Sequence, residues 1–270
     1  MGYRLEGHTI KGEKSLFTIP GMLHYVDSRF GVTTINDGTN DRIVSIQELS
    51  PQQRIFTSSR VHRRPALVGN AIQFNPNLNR SEHLTCSTNV QDYLPVWTTP
   101  TKYAYYLILD WGDGAGNLQH GLTLTDTASG GNFVQFGVTS SSFDGTGLYD
   151  FNLNRRVNGT SYSPVLASTH NMNNKISINA YKVVNNSLKI FLDNVQVHEL
   201  SNYSITIPSV TPSVVSVSHN NGNNTLRSWK LYVSLMYNWS GYSDIEVEAF
   251  HTEVQEILAD LKATFIQLES

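Results

Sequence analysis

Residues 175–181 read KISINAY, and their alternation decides the fold class. Apolar residues occupy every second position, and Ser177 and Asn179 lie between them. This period of two predicts a β-strand with one buried and one solvent-facing side. The runs Leu188–Leu192 and Val195–His198 follow, separated by an Asp-Asn pair. Because aspartate and asparagine both tolerate positive φ, the pair predicts a two-residue hairpin turn.

Turn-forming residues recur at short intervals along the chain, and strand-like runs lie between them. The turn clusters are Asn36–Gly38, Asn75–Asn77, Gly112–Gly114, Ser129–Gly131, Asp144–Gly145, Asn158–Gly159 and Asn221–Gly222. The strand-like runs include Tyr103–Trp111, Phe133–Val138, Leu148–Leu153, Val214–Val217 and Leu226–Tyr237. The sequence therefore predicts an all-β fold, an antiparallel β-sandwich.

The composition argues against several classes of protein. Charged residues make up 15% of the chain, below the roughly 25% of an ordinary domain. A net charge of −3 and a pI near 6.3 argue against a nucleic-acid-binding face. The short basic cluster Arg60, His62, Arg63 and Arg64 is interpreted as a solvated or ion-paired loop. No stretch approaches the ~18 apolar residues of a membrane span, so no membrane partner is expected.

Cysteine content and the first residues bear on the compartment. Cys86 is the only cysteine, so no intramolecular disulfide is available and burial alone must hold the fold. Residues 1–18 lack the apolar core and cleavage site of a secretory signal. If the protein works outside a cell, we expect something other than its own leader to bring it there.

Two appendages flank the predicted sandwich, which is placed at 19–242. Residues 1–18 show no period and predict an N-terminal arm. Residues 243–270 predict a helix, because Ser243 and Glu246 have the spacing of a capping box and an apolar stripe follows. The stripe comprises Val247, Phe250, Val254, Ile257, Leu258, Leu261, Phe265 and Leu268. It either packs on the sandwich, which we prefer, or its last turns form a coiled coil or dock on a neighbouring subunit.

Several groups of residues together resemble a known family. They are Gly21–Arg29, Arg64–Val68 with Ala71–Phe74, Ile190–Val195, and Trp229–Asn238 with Ser243–Glu246. Their order over roughly residues 20–257 is similar to laminin-G-like, concanavalin-type domains, which occur in bacterial surface proteins and in structural proteins of tailed bacteriophages. The resemblance implies a concanavalin-like jelly roll. Where such domains often carry Trp-x-Asp-x-Ser-Gly-Asn-Gly, this chain has Ile43–Ser50.

The sequence offers little for catalysis. The Glu-x-Asp-x-x-Glu strand that places the two carboxylates of a retaining glycosidase on one face is absent. No His-x-x-x-His, His-Glu-x-x-His or Gly-x-Ser-x-Gly motif occurs either. A Ser-His-Asp triad stays open, because its members need not be near in sequence. We expect a protein that is not an enzyme.

Four residues with oxygen side chains are candidate calcium ligands: Asp110, Asp113, Asn117 and Asp126. Carboxylate and amide oxygens suit this cation, and loop carbonyls would complete its shell. Ordinary turn formation explains the same residues, and it is the interpretation that we prefer.

Three aromatic residues in predicted loops are candidate glycan-binding residues: Trp111, Trp239 and Tyr242. Aromatic faces stack on sugar rings, and polar side chains beside them bind the hydroxyls. Tyr105, Leu107 and Leu109 are instead interpreted as the inward face of a core strand.

The leading functional hypothesis is a non-enzymatic structural or adhesion protein on the exterior of a tailed-phage virion. It would be a capsid decoration, head-fibre or tail-associated subunit. The arm or the helix would contact other virion proteins or form a homo-oligomer, and the sandwich would bind cell-surface glycans. The alternatives are a decoration protein without a ligand, and a bacterial cell-surface carbohydrate-binding module or hydrolase-related lectin.

Overall fold

The computed structural model describes residues 15–58, 60–74, 82–93, 102–110, 112, 119–125, 133–139, 148–157, 160–162, 165–171, 175–203, 214–217 and 229–269. Eighteen strands and one long helix are found in these residues. The strands are β1 Met22–Asp27, β2 Val32–Asn36, β3 Asp41–Gln47, β4 Ile55–Thr57, β5 Ala66–Val68, β6 Ala71–Phe74, β7 Leu84–Cys86, β8 Lys102–Asp110, β9 Gln119–Thr125, β10 Phe133–Thr139, β11 Leu148–Val157, β12 Thr160–Tyr162, β13 Val165–Asn171, β14 Ile176–Val184, β15 Ser187–Leu192, β16 Val195–Leu200, β17 Val214–Val217 and β18 Trp229–Asn238. The helix α1 spans Asp244–Glu269, and 3-10 turns occur at Leu16–Thr18, Val61–Arg63 and Val90–Tyr93.

All the strand pairings of the described residues are antiparallel, and they join one continuous sheet that folds over on itself. One half, the helix-side sheet, has the order β1-β18-β8-β14-β15-β16. The other half, the opposite sheet, has the order β2-β3-β4-β7-β17-β9-β10-β11-β13. The β5–β6 hairpin connects the halves, since β5 pairs with β3 and β6 with β18. The predicted all-β antiparallel sandwich with a C-terminal helix is confirmed.

Strand β8 is buried on both faces, and its alternation builds two cores. Tyr105 and its odd-numbered neighbours belong to the inner core, between the two sheets. Tyr106 and its even-numbered neighbours belong to the outer core, between the helix-side sheet and α1. The predicted inward face of Tyr105, Leu107 and Leu109 is confirmed.

The predicted solvent face of β14 is wrong. Ser177 and Asn179 are buried, and they share the strand face of Tyr181 and Val183, which belong to the inner core. The opposite sheet covers this face, and α1 covers the other. Asn179 Nδ2 donates to Ser177 Oγ at 3.0 Å, so part of the buried polar surface is satisfied locally.

The predicted hairpin between β15 and β16 is confirmed. Asp193 and Asn194 have φ of 48° and 68°, and Leu192 pairs with Val195 across the turn. Positive φ at both central residues matches the right-handed twist of the flanking strands.

Helix α1 begins with the predicted capping box. Ser243 N donates to Glu246 Oε2 at 2.8 Å, and Glu246 N donates to Ser243 Oγ at 3.3 Å. These bonds satisfy two amide groups that a helix start leaves without intrahelical partners.

The apolar stripe of α1 packs on the chain's own helix-side sheet, as in the interpretation that we preferred. Its buried residues run from Val247 to Phe265, whereas Leu268 is 52% exposed. Ion pairs accompany the packing along the helix: Lys102–Asp244 at 2.8 Å, Lys182–Glu248 at 2.6 Å, Asp193–Lys262 at 2.8 Å and Lys230–Glu269 at 2.6 Å. Among the described residues, no helix is apolar enough to cross a membrane.

The end of the predicted N-terminal arm contacts the outer core. Leu16 is buried there, and Tyr237 Oη donates to the Leu16 carbonyl at 2.8 Å. Residues 1–14 of the predicted arm lie outside the described residues.

Candidate functional site

Trp239 is buried, and the prediction that it offers its ring to a sugar is wrong. Its exposed fraction is 0%. The indole stacks on Tyr237 at a centroid distance of 5.3 Å and contacts Phe250 of α1 at 6.0 Å. Its Nε1 donates to the Pro20 carbonyl at 2.9 Å. The residue does lie in a loop, but the helix covers it.

Tyr242 is half-buried in the turn that leads into α1. Its ring meets Phe250 edge to face at 5.2 Å, and its carbonyl accepts from Lys102 Nζ at 2.6 Å. Trp111 lies outside the described residues. Sugar stacking on Tyr242 or Trp111 therefore stays a prediction.

Asp110, at the end of β8, forms a turn contact. Its Oδ1 accepts from Gly112 N at 2.9 Å, and Gly112 has a φ of 67°, which favours glycine. The other proposed calcium ligands, Asp113, Asn117 and Asp126, lie outside the described residues. Within the part of the chain that is described, no group of three or more His, Cys, Asp or Glu side chains is placed to hold a metal. The calcium site stays a prediction.

A chain of polar side chains that the sequence did not reveal is buried in the inner core. Ser234 Oγ lies 2.9 Å from His24 Nε2, and His24 Nδ1 lies 2.8 Å from Glu48 Oε2. Glu48 Oε1 lies 2.7 Å from Arg54 Nη1. His24, Glu48 and Ser234 are each 1% exposed or less. His24 lies on β1 and Ser234 on β18, and the Glu48–Arg54 ion pair lies in the turn between β3 and β4.

Arg54 holds this buried network together. Its Nη1 donates to the Leu23 carbonyl at 2.8 Å and its Nε to the Asn89 carbonyl at 2.9 Å. Its Nη2 lies 3.0 Å from Asp92 Oδ2, and the guanidinium stands 4.6 Å from the centre of the Tyr93 ring. Such complete pairing is what allows a charge to remain inside a core.

Two pKa shifts describe the charge state of the network. Burial alone would raise the pKa of Glu48, but the hydrogen bond with His24 and the charges of His24 and Arg54 outweigh burial, and the pKa is lowered. Glu48 is therefore ionised at neutral pH and balances Arg54. Burial raises the pKa of Tyr105, so its phenol stays protonated, 3.0 Å from Ser234 Oγ.

The hydrogen bonds from Ser234 through His24 to Glu48 have the connectivity of a Ser-His-acid triad. A triad also needs a nucleophile that a substrate carbonyl reaches, with donors beside it for the oxyanion. Ser234 lies in mid-strand, paired with Val26 of β1 and Leu107 of β8. Ser234 is fully buried, so a substrate does not reach it, and the network serves to satisfy polar groups inside the core.

An open groove lies where the second half of α1 passes the β15–β16 turn. It has a volume of about 280 Å³ and is lined by Ile178, Asp193, Asn194, Ala259, Lys262, Ala263 and Ile266. The alanines leave room beside the helix, and Ile266 is 47% exposed. Asp193 Oδ1 accepts from Ile178 N at 2.8 Å and lies 2.8 Å from Lys262 Nζ. The groove therefore combines an apolar floor with a polar rim held in fixed positions, and no local sequence pattern indicates it.

Comparison with solved structures supports the fold. A Trypanosoma rangeli sialidase in complex with sialic acid superposes with a TM-score of 0.54 at 10% identity, over 85% of this chain and 33% of that one. The botulinum neurotoxin serotype G binding domain gives 0.53 at 10% identity, over 85% of this chain and 50% of that one. The binding domain of Paraclostridial Mosquitocidal Protein 1 gives 0.50 at 10% identity, over 86% and 52%.

These likenesses define a class of fold, a β-sandwich found in a sialidase and in toxin binding domains. The chain spans a third to about half of the length of these structures. No sequence family and no curated protein matches the chain. Identity of 10% shows a shared architecture and leaves function to be argued from the site.

Proposed function

We propose that this chain is a non-enzymatic carbohydrate-binding domain. The observation that carries the proposal is which of the two candidate sites a ligand from solvent can reach. The Ser234–His24–Glu48 network is closed inside the inner core, whereas the groove beside α1 is open to solvent. Toxin binding domains and a sialidase in complex with sialic acid share the fold, which is consistent with this proposal.

The groove has the composition of a sugar site. Ile178, Ala263 and Ile266 form an apolar floor for the C–H face of a pyranose ring. Asp193, Asn194 and their neighbour Lys262 supply acceptors and donors at the rim for hydroxyl groups. Asn194 is already oriented, because its Nδ2 donates to the Gln255 carbonyl at 3.2 Å.

The test fills the groove. Ala263→Trp places an indole where the ring would lie, and we expect glycan binding to weaken by at least about tenfold, a loss of about 1.4 kcal/mol. Binding is measured on a glycan array and then by titration calorimetry with the neutral saccharide that binds best.

The matched control is Thr264→Trp, since Thr264 is the next helix residue, is exposed and does not line the groove. This variant should bind as the wild type does. Wild-type affinity in Ala263→Trp would exclude the groove as the site. A wild-type chain that binds nothing across a broad panel, or that releases sugar from polysaccharides, would contradict the proposal.

We further propose that the domain works on the exterior of a tailed-phage virion, with a bacterial cell surface as the alternative setting. The resemblance of residues 20–257 to domains of phage structural proteins supports it, and so does a single buried cysteine in a fold held by burial. Co-purification of the chain with intact particles is the test. A chain found only in the bacterial envelope fraction would favour the alternative.

A further inference from the structure

Three arginines lie in the turn between β4 and β5. Arg60 precedes the 3-10 turn Val61–Arg63, and Arg64 follows it. The backbone is fixed on both sides, because His83 N donates to the Arg63 carbonyl at 3.2 Å and Ile43 N to the Pro65 carbonyl at 2.8 Å. The arginines therefore extend from a rigid base.

The guanidinium groups of this turn have no counter-ion among the described residues. Arg42 binds the nearby carboxylates, with Asp37 Oδ2 2.7 Å from its Nε and Glu82 Oε1 3.2 Å from its Nη1. The Nε atoms of Arg63 and Arg64 are buried and make no hydrogen bond with the residues that the structure describes. Among the described residues, no carboxylate forms an ion pair with Arg60, Arg63 or Arg64.

Buried donors without acceptors cost free energy, so native proteins rarely keep them without a reason. Adjacent cations add mutual repulsion. An oxyanion removes both costs, because the planar guanidinium donates two parallel hydrogen bonds to a carboxylate, sulfate or phosphate. The turn therefore has the features of an anion-binding site.

We propose that the turn of Arg60, Arg63 and Arg64 binds the carboxylate or sulfate of an acidic saccharide. Val61, 68% exposed between the arginines, offers an apolar contact for the sugar ring. The net charge of −3 disfavours nucleic acid as the source of the anion. The inference goes beyond the groove, and it rests on the proposed function only in that the anion is carried by a sugar.

The experiment titrates the full chain with sialyllactose, lactose 3′-sulfate and neutral lactose. Arg63→Gln with Arg64→Gln should weaken binding of the acidic sugars by about tenfold or more and leave lactose unchanged. Raising the salt concentration should weaken acidic-sugar binding by the wild type, since the arginines are partly exposed. Which acidic sugar binds better distinguishes carboxylate from sulfate.

Three controls make the result specific. Lys175→Gln with Lys189→Gln also removes two positive charges, but from strand β15 and from the residue that precedes strand β14. This variant should keep wild-type affinity. Arg63→Lys with Arg64→Lys keeps the charge but loses the planar donors, and should bind with intermediate affinity. The Ala263→Trp variant should keep acidic-sugar binding, because the groove is a separate site. Thermal melting verifies that each variant is folded.

The outcomes separate the two proposals. Equal binding of lactose and acidic sugars, unchanged by the double Gln variant, would overturn the arginine site while carbohydrate binding stands. A wild type that binds no sugar would reject both. Tighter binding of a DNA oligonucleotide than of any acidic sugar would overturn the saccharide assignment.

Discussion

At the scale of single residues, the core contains an ion pair whose removal from water costs free energy. The Glu48–Arg54 pair is buried, and an apolar pair of similar volume often stabilises a protein as well or better. Once the charges are inside, however, each depends on the other and on His24. The stability of the fold is therefore sensitive to the loss of any one of these three side chains.

Glu48→Ala should destabilise the fold by about 3–5 kcal/mol, because it leaves the Arg54 guanidinium buried without its carboxylate. Urea unfolding at pH 7 measures the free energy. The control is Glu199→Ala, which removes an exposed carboxylate 3.9 Å from Lys189 and should cost less than about 1 kcal/mol. Equal losses in the two variants would show that the buried pair is not coupled.

Local patterns predicted what depends on neighbours in sequence. Ser243 and Glu246 stand three positions apart, and their capping box is present. His24 lies 24 positions from Glu48 and 210 from Ser234, so only the strand pairing brings them together. Trp239 shows the same limit, since its burial depends on a helix whose packing direction the sequence does not specify.

At the scale of elements, the contact between α1 and the helix-side sheet contains the imidazole ring of His251. His251 Nδ1 lies 2.6 Å from Tyr106 Oη, and the ring centroid lies 4.6 Å from that of Phe191. Burial lowers the pKa of His251 to about 3, and the charges of Lys182 and Lys189 add to the effect. The histidine is neutral in the docked helix.

Docking of α1 should therefore weaken in mild acid. The unfolded chain binds a proton at this histidine below about pH 6.5 and the folded chain does not, so stability falls as pH falls from 6.5 towards 3. The loss is about 1.4 kcal/mol per pH unit, or about 2 kcal/mol between pH 6.5 and 5. Urea unfolding at both pH values measures it.

His251→Gln should reduce this loss, because the amide keeps an acceptor for Tyr106 and does not titrate. His62→Gln, in the exposed basic turn, should keep the wild-type pH dependence. A wild type equally stable at pH 6.5 and 5 would contradict the neutral, buried histidine.

Strands were predictable where alternation and turn chemistry agree. The run Val214–Val217 and the Asp193-Asn194 turn occur as predicted. The burial of both faces of β14 was not predictable, because Ser177 and Asn179 are polar residues in a strand that is covered on both sides. Alternation indicates that two faces differ, but it does not tell how many layers cover them.

At the scale of the whole molecule, the inner and outer cores share the helix-side sheet. Strands β8, β14 and β18 contribute side chains to both. Gly121 of β9 lies so close to β8 that a Cβ would stand 2.8 Å from Leu107 and Tyr105 side-chain atoms. Because three strands contribute side chains to both cores, we expect a destabilised outer core to destabilise the inner core as well.

Leu258→Ala, in the outer core, should lower stability by about 2–5 kcal/mol. Unfolding of the wild type and of Leu258→Ala is followed by circular dichroism. In each protein, the helix signal at 222 nm and the near-ultraviolet signal of the aromatic side chains should be lost at one shared midpoint. Separate midpoints would show that α1 unfolds independently of the sandwich.

Strand β8 has hydrogen-bonded partners along both edges and a covered surface above and below. Deuterium from the solvent reaches its amide groups only after sheets and helix have separated together. The exchange of these few protons therefore reports the free energy of global unfolding, whatever happens at the loops.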